Sequence, residues 1–167
     1  FAVVYRGTSS EGEPVAVKSV PDAPRQNRIR MVFDRAVASV RKLRDPSFIR
    51  VHYAVVDREP HCLVMDYVDW PTLEATLASR PGRCLPPNIV AKVLAKIAAA
   101  QRNAHENDFS IGPLAASGIH VGDDWDVRLS PIRIESQLAR AASMATGQLL
   151  NWDALTHLSP EVSGGRT

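Results

Sequence analysis

The sequence predicts an α+β protein built as two lobes, a β-rich lobe with one helix followed by a mainly helical one. Three observations predict it. Four β-branched runs fall in the first ~70 residues, grouped as two pairs around turn clusters. A single amphipathic helix pattern separates the pairs. After Val68 the texture changes to helix-forming segments and breaker-rich loops, with one long apolar periodicity of helical spacing.

"FAVVYRG" and "PVAVKSV" flank "TSSEGE", a turn cluster containing Gly12, and predict a hairpin of strands Phe1–Arg6 and Pro14–Val20. Pro21 and Pro24 then break the chain. A helix is expected from about Ile29 to Leu43, with Phe33, Val37, Val40 and Leu43 on one face. Pro46 ends it, because the residue before a proline is pushed out of helical geometry. "FIRVHYAVVD" and "HCLVMDYV" form a second predicted hairpin turning at "REP".

"PTLEATLAS" predicts a short helix and "RPGRCLPP" a loop. The long helix is expected from about Asn88 to Glu106, burying Ile89, Val90, Val93, Leu94 and Ile97 and turning Lys92, Lys96 and Arg102 outward. "GIHV" and "DVRLSPI" are short strands around a tight turn, "GDDWD". Glu135–Leu150 has helical character without clear caps.

Composition excludes little. Of 167 residues, 45% are hydrophobic and 23% charged, as in ordinary globular proteins. The net charge of +2 gives no nucleic-acid footprint. No apolar run approaches the ~20 residues of a membrane span, and no signal peptide is visible. Cys62 and Cys84 make neither a disulfide framework nor a metal cluster, and two unpaired thiols suit a reducing, cytoplasmic setting. Alanine and arginine richness points to a GC-rich, bacterial genome. The start at Phe1 inside a strand pattern, and the end in "SGGRT", read as a fragment of a longer protein.

The order hairpin, helix, hairpin, connector, long helix, small hairpin, with "VAVK" on the second strand, resembles the protein kinase family, here its serine/threonine branch. "PSFIRVHYAVVD" resembles the family's strand after its first helix, "CLVMDYVD" the strand entering the interlobe hinge, and "LSPE" at Leu158–Glu161 the Ala-Pro-Glu motif. The resemblance covers nearly the whole chain. It implies an N-lobe over 1–69, without the first strand and most of the Gly-rich loop, and the first part of a C-lobe over 70–167.

Phosphoryl transfer from ATP is mostly positioning and charge neutralisation. The family supplies a strand lysine held by a helix glutamate, a catalytic aspartate, and an asparagine and aspartate that hold magnesium. Lys18 matches the strand lysine. Ala2 stands at the third glycine of the loop, Val4 at the adenine-covering valine, and Ala36 at the glutamate position, with Asp34 two residues off. "AHENDFSIGPLAASGIHV" lies over the catalytic loop without a gap. Ile111 and Gly112 replace the motif histidine and arginine, Pro113 the catalytic aspartate, Ala115 the loop lysine, and Gly118 the magnesium asparagine. Pro131, Ile132 and Arg133 replace Asp-Phe-Gly.

A proline is neither a base nor a metal ligand. The resemblance therefore implies a pseudokinase with no catalytic residues and no metal, acting on a protein partner, with no nucleic acid and no membrane segment. No cofactor is expected. The alternative is a nucleotide-sensing switch, binding ATP without magnesium, or a serine/threonine kinase, using a cleft of Lys18, Ala16, Val4, Met65, Asp66 and Val68. His120 falls under the adenine position, and His105 matches a structural histidine expected in the core. Bland readings accompany the rest: Asp123, Asp124 and Asp126 as a polar turn, and the arginines around the first helix as a solvated face.

Overall fold

A computed structural model of the chain describes residues 3–20, 34, 37–55, 60–109, 111 and 114–130. The expected helix Glu135–Leu150, the Ala-Pro-Glu-like motif, and the positions Ala2, Phe33, Ala36, Gly112, Pro113 and Pro131 lie outside them.

Strands β1 (Val3–Thr8) and β2 (Pro14–Val20) form the first hairpin, β1 running two residues beyond the expected end at Arg6. Its turn explains itself locally. Ser9 Oγ accepts from the N–H groups of Glu11 and Glu13 at 3.2 and 3.1 Å, and Gly12 takes φ 85°, a region open to glycine. Strands β3 (Val51–Val55) and β4 (His61–Asp66) follow, and the four make one antiparallel sheet in the order β1-β2-β4-β3.

Helical residues 37–42, called α1, precede β3 and bury Val37 and Val40. Leu43 lies just past the helix, its N–H on the Val40 carbonyl at 3.1 Å, and is buried with them. Asp45 turns the chain there, its Oδ1 accepting from Ser47 N–H at 2.7 Å. Beyond the sheet come α2 (Leu73–Ala78) and α3 (Pro87–Glu106). Thr72 caps α2, its Oγ1 accepting from Ala75 N–H at 3.1 Å.

Pro87 opens α3, where its missing N–H costs nothing. The buried row of α3 is Val93, Ile97, Ala100 and Ala104, which keeps the expected Val93 and Ile97, with Ile89 half-buried against the core, and replaces Val90 and Leu94. Val90 and Leu94 are 39% and 57% exposed. The alanines explain the rotation: Ala104 is 0% exposed and Ala100 1%, so the helix seats its small residues against the core and approaches closely. His105 is exposed, which corrects its expected place in the core. It follows Ala104 by one residue, about 100° around the helix axis.

The C-terminus of α3 is a Schellman-type cap. Phe109 N–H reaches Ala104 O at 2.8 Å, Asp108 N–H reaches His105 O at 3.0 Å, and Asp108 holds φ 55°.

The small hairpin β5 (Ile119–Val121) and β6 (Val127–Leu129) forms as expected. It is gripped on both sides. Phe48 bridges Leu129, with Ile49 N–H on Leu129 O at 3.0 Å and Leu129 N–H on Ser47 O at 2.7 Å. On the other edge Thr72 bridges His120, and Val121 N–H reaches Pro71 O at 2.9 Å. The segment before β3 and the segment after β4 are thus joined by backbone bonds to the same hairpin. One core runs through the sheet, α1, α3 and this hairpin.

Candidate functional site

Strand register decides which predicted cleft residues meet. Directly opposed residues of antiparallel strands share a face. Lys18 is opposed by Val4 on β1 and Leu63 on β4, and Ala16 by Arg6 and Met65. Val4, Ala16, Lys18 and Met65 therefore lie on one face, with Leu63. That face is the one packed on the core: Ala16, Leu63 and Met65 are buried. Val4, on the edge strand, is exposed. Asp66 is opposed by Val15 and belongs to the other face, where its Oδ1 meets His52 Nε2 at 2.9 Å. Val68 is half-buried against the core.

Lys18 is half-buried in this apolar setting. Burial penalises its charged form and pushes its pKa down from 10.5 to about 8. Its ammonium is the titratable group of this face that the surroundings perturb most.

The catalytic-loop positions sit at the entry to β5. Ile111 is buried in the core. Ala115 precedes a 3₁₀ turn (Ala116–Gly118), accepting from Gly118 N–H at 2.9 Å, and the buried Gly118 accepts from Ser130 N–H at 2.8 Å. A divalent cation needs oxygen ligands. Ala115 and Gly118 supply no side-chain oxygen to a cation, and Gly118 O accepts from Ser130 N–H. Among the described residues no group of His, Cys, Asp and Glu side chains is arranged to hold a metal.

His120 is half-buried, with Nδ1 3.0 Å from the Trp70 carbonyl oxygen. A carbonyl only accepts, so Nδ1 carries the proton in that bond. Asp108 occupies the left-handed position of the α3 cap, a structural post. Asp126 is bound to Lys96, which holds its carboxyl below the usual range, first through the hydrogen bond. The acidic turn is thus tied to α3.

Several contacts were not readable from the sequence. Arg6 lies over the Tyr67 ring at 4.8 Å, and Tyr67 Oη donates to Asp69 Oδ1 at 3.0 Å, which raises the phenol's pKa. Arg128 lies over Trp70 at 5.2 Å and Arg80 over Trp125 at 5.1 Å. Trp70 also rests on the Gly122 backbone, where a Cβ would come within 2.4 Å of the ring. Such pairs join residues up to 61 positions apart, and only the aromatic and glycine types hinted at them.

A four-stranded antiparallel sheet carrying a lysine on its core-packed face, a connector, a long helix and a small hairpin define a kinase-like two-lobed α+β domain. The chain belongs to the protein kinase family: residues 1–163 match the family described as protein tyrosine and serine/threonine kinase. It is also similar to CBL-interacting protein kinase 4 of Oryza sativa subsp. japonica, 28% identical over 133 residues, or 78% of this chain. The match spans 29% of that relative's length. Among the described residues no helix is long and apolar enough to cross a membrane.

Proposed function

We propose that this is a pseudokinase: a kinase-shaped domain, with an N-lobe over 1–69 and part of a C-lobe over 70–167, that regulates a protein partner without transferring phosphate. One observation carries the reading. The family's base and metal positions hold Pro113, Gly118 and Pro131, and its loop lysine is Ala115. General-base help is worth about 10²–10⁴-fold in rate, and the triphosphate's charge needs neutralising by metal. A chain with Lys18 but none of these oxygen ligands lacks both. The frame persists because its apolar positions still pack, and packing is separable from site chemistry. We place the domain in the cytoplasm of a bacterium on its two free thiols and its composition.

The test is transfer of labelled phosphate from ATP to a generic protein substrate, with magnesium or manganese. No incorporation is expected. Incorporation that disappears in Lys18→Ala would overturn the proposal.

A second reading is favoured by Lys18 itself, kept on the core-packed face beside Ala16, Val4 and Met65. There the domain binds ATP without magnesium as a conformational switch, or acts as a serine/threonine kinase, the rice relative being named a protein kinase. Thermal shifts with ATP, with and without magnesium, separate the readings. No shift in either condition supports the first. A magnesium-independent shift lost in Lys18→Ala supports the switch.

A further inference from the structure

The segment around α1 carries a charge balance unlike the rest of the chain. Residues 25–50 hold eight of the twenty Lys and Arg but only two of the eighteen Asp and Glu, a net +6 against +2 for the whole chain. The remainder is therefore net negative. Among the described residues the surplus takes a definite place. Arg41 and Lys42 end α1, Arg44 follows it, Arg50 leads into β3, and all four are exposed. The ion pairs of the described residues lie elsewhere, His52 with Asp66 and Lys96 with Asp126. The one acid within 41–50, Asp45, turns its Oδ1 to the Ser47 N–H. Asp34, exposed on α1, is the other acid of the segment.

Two ordinary explanations reach only part of this. Cations in the last turn of a helix complement its dipole, which covers Arg41 and Lys42. Arg44 and Arg50 lie beyond the helix. A solvated face explains why each cation is exposed but not why acids are so few, since solvated surfaces intersperse both signs.

The backbone beneath the cations is held. Val40, Leu43, Phe48 and Ile49 are buried. Phe48 N–H reaches Asp45 O at 3.1 Å, and Ile49 N–H reaches Leu129 O at 3.0 Å. The Cα atoms of Arg41 and Arg44 are at most about 11 Å apart. A ligand arriving there orders side chains on a chain already fixed, which lowers the entropic cost of binding.

We propose that Arg41, Lys42 and Arg44 dock an acidic segment of a protein partner. The proposal rests on the interaction-module reading and names the partner's chemistry. An anionic membrane offers the same charge, but the large apolar side chains here, Val37, Val40, Leu43, Phe48 and Ile49, are buried and leave none to enter a bilayer.

The experiment titrates the purified chain with a twelve-residue glutamate-rich peptide, followed by calorimetry at two salt concentrations. Saturable binding that weakens as salt rises is expected. The triple variant Arg41→Gln, Lys42→Gln, Arg44→Gln should weaken it by about tenfold. A second triple variant, Arg83→Gln, Lys92→Gln, Arg102→Gln, removes the same charge from exposed positions outside the segment and should leave affinity within about twofold. All six positions are exposed, so both variants should fold, and their unfolding curves check this.

Absence of binding at millimolar peptide would overturn the proposal. So would equal losses in the two variants, because net charge alone would then explain the binding. Binding to vesicles of anionic lipid, lost in the first variant, with no binding of the peptide would transfer the surface to a membrane and overturn it as well. The phosphate-transfer assay is independent of this one. Peptide binding together with phosphate transfer would refute the pseudokinase reading and keep the docking surface; neither activity would do the reverse.

Discussion

Lys18 makes the domain's stability depend on alkaline pH in a way that can be isolated. Its folded pKa is about 8 and its unfolded value 10.5, the difference arising from burial. Below pH 8 both states hold the proton, and burial penalises the charged form in the folded state. Between about 8 and 10.5 the unfolded state binds more protons, so stability rises with pH. From pH 7 to pH 9 the folded lysine passes through its pKa while the unfolded one stays charged, a gain of about 1.4 kcal/mol. Lys18→Met removes this titration and keeps an unbranched stem. The assay is urea unfolding of both proteins at pH 7, 8 and 9. The variant's lead over the wild type should shrink by about 1.4 kcal/mol across that range, or roughly 0.7 M in midpoint at a typical slope of about 2 kcal/mol per molar. Other titrating groups, the phenol of Tyr67 among them, cancel in the difference. Curves for the two proteins that stay parallel from pH 7 to pH 9 would refute the argument that burial sets the lysine's proton affinity.

Three further outcomes are expected. Gly122→Ala should destabilise the fold by about 1–3 kcal/mol, because its Cβ would come within 2.4 Å of Trp70; in a Trp70→Leu background the same change should cost much less, measured by a double-mutant cycle. Val93→Ala, in the buried row of α3, should cost about 1–3 kcal/mol in thermal or chemical unfolding, whereas Leu94→Ala, at 57% exposure, should stay within about 0.5 kcal/mol. Asp108→Gly should stabilise by about 0.5–1 kcal/mol, since φ 55° suits glycine, with phosphate-transfer behaviour unchanged because this aspartate ends a helix.

The strands were legible because their signal is local. "PVAVKSV" forms β2 with the expected bounds, and the four-stranded sheet follows from two hairpins whose turns carry Gly12 and Pro60. Thr72 and Pro87 mark the starts of α2 and α3 for reasons confined to one turn of chain. The long helix shows where such reasoning fails. Hydropathy favoured Val90 and Leu94 for the buried face, yet the core chose Ala100 and Ala104. Alanine scores as weakly apolar in a sequence, but in a packed interface its small size is the advantage, and only the facing element decides that. His105 was placed in the core on the family resemblance, and it lies one residue off the row that the alanines define.

The cleft divides in the same way. Register places Lys18 with Val4, Ala16 and Met65 on one face, and a strand's period of two makes that readable in advance. Asp66 was grouped with them by its position next to the hinge, but the same period puts it on the opposite face with His52. The pairs that most shape the connector's surface, Trp70 with Gly122 and the three arginines with their rings, join distant positions with no spacing rule.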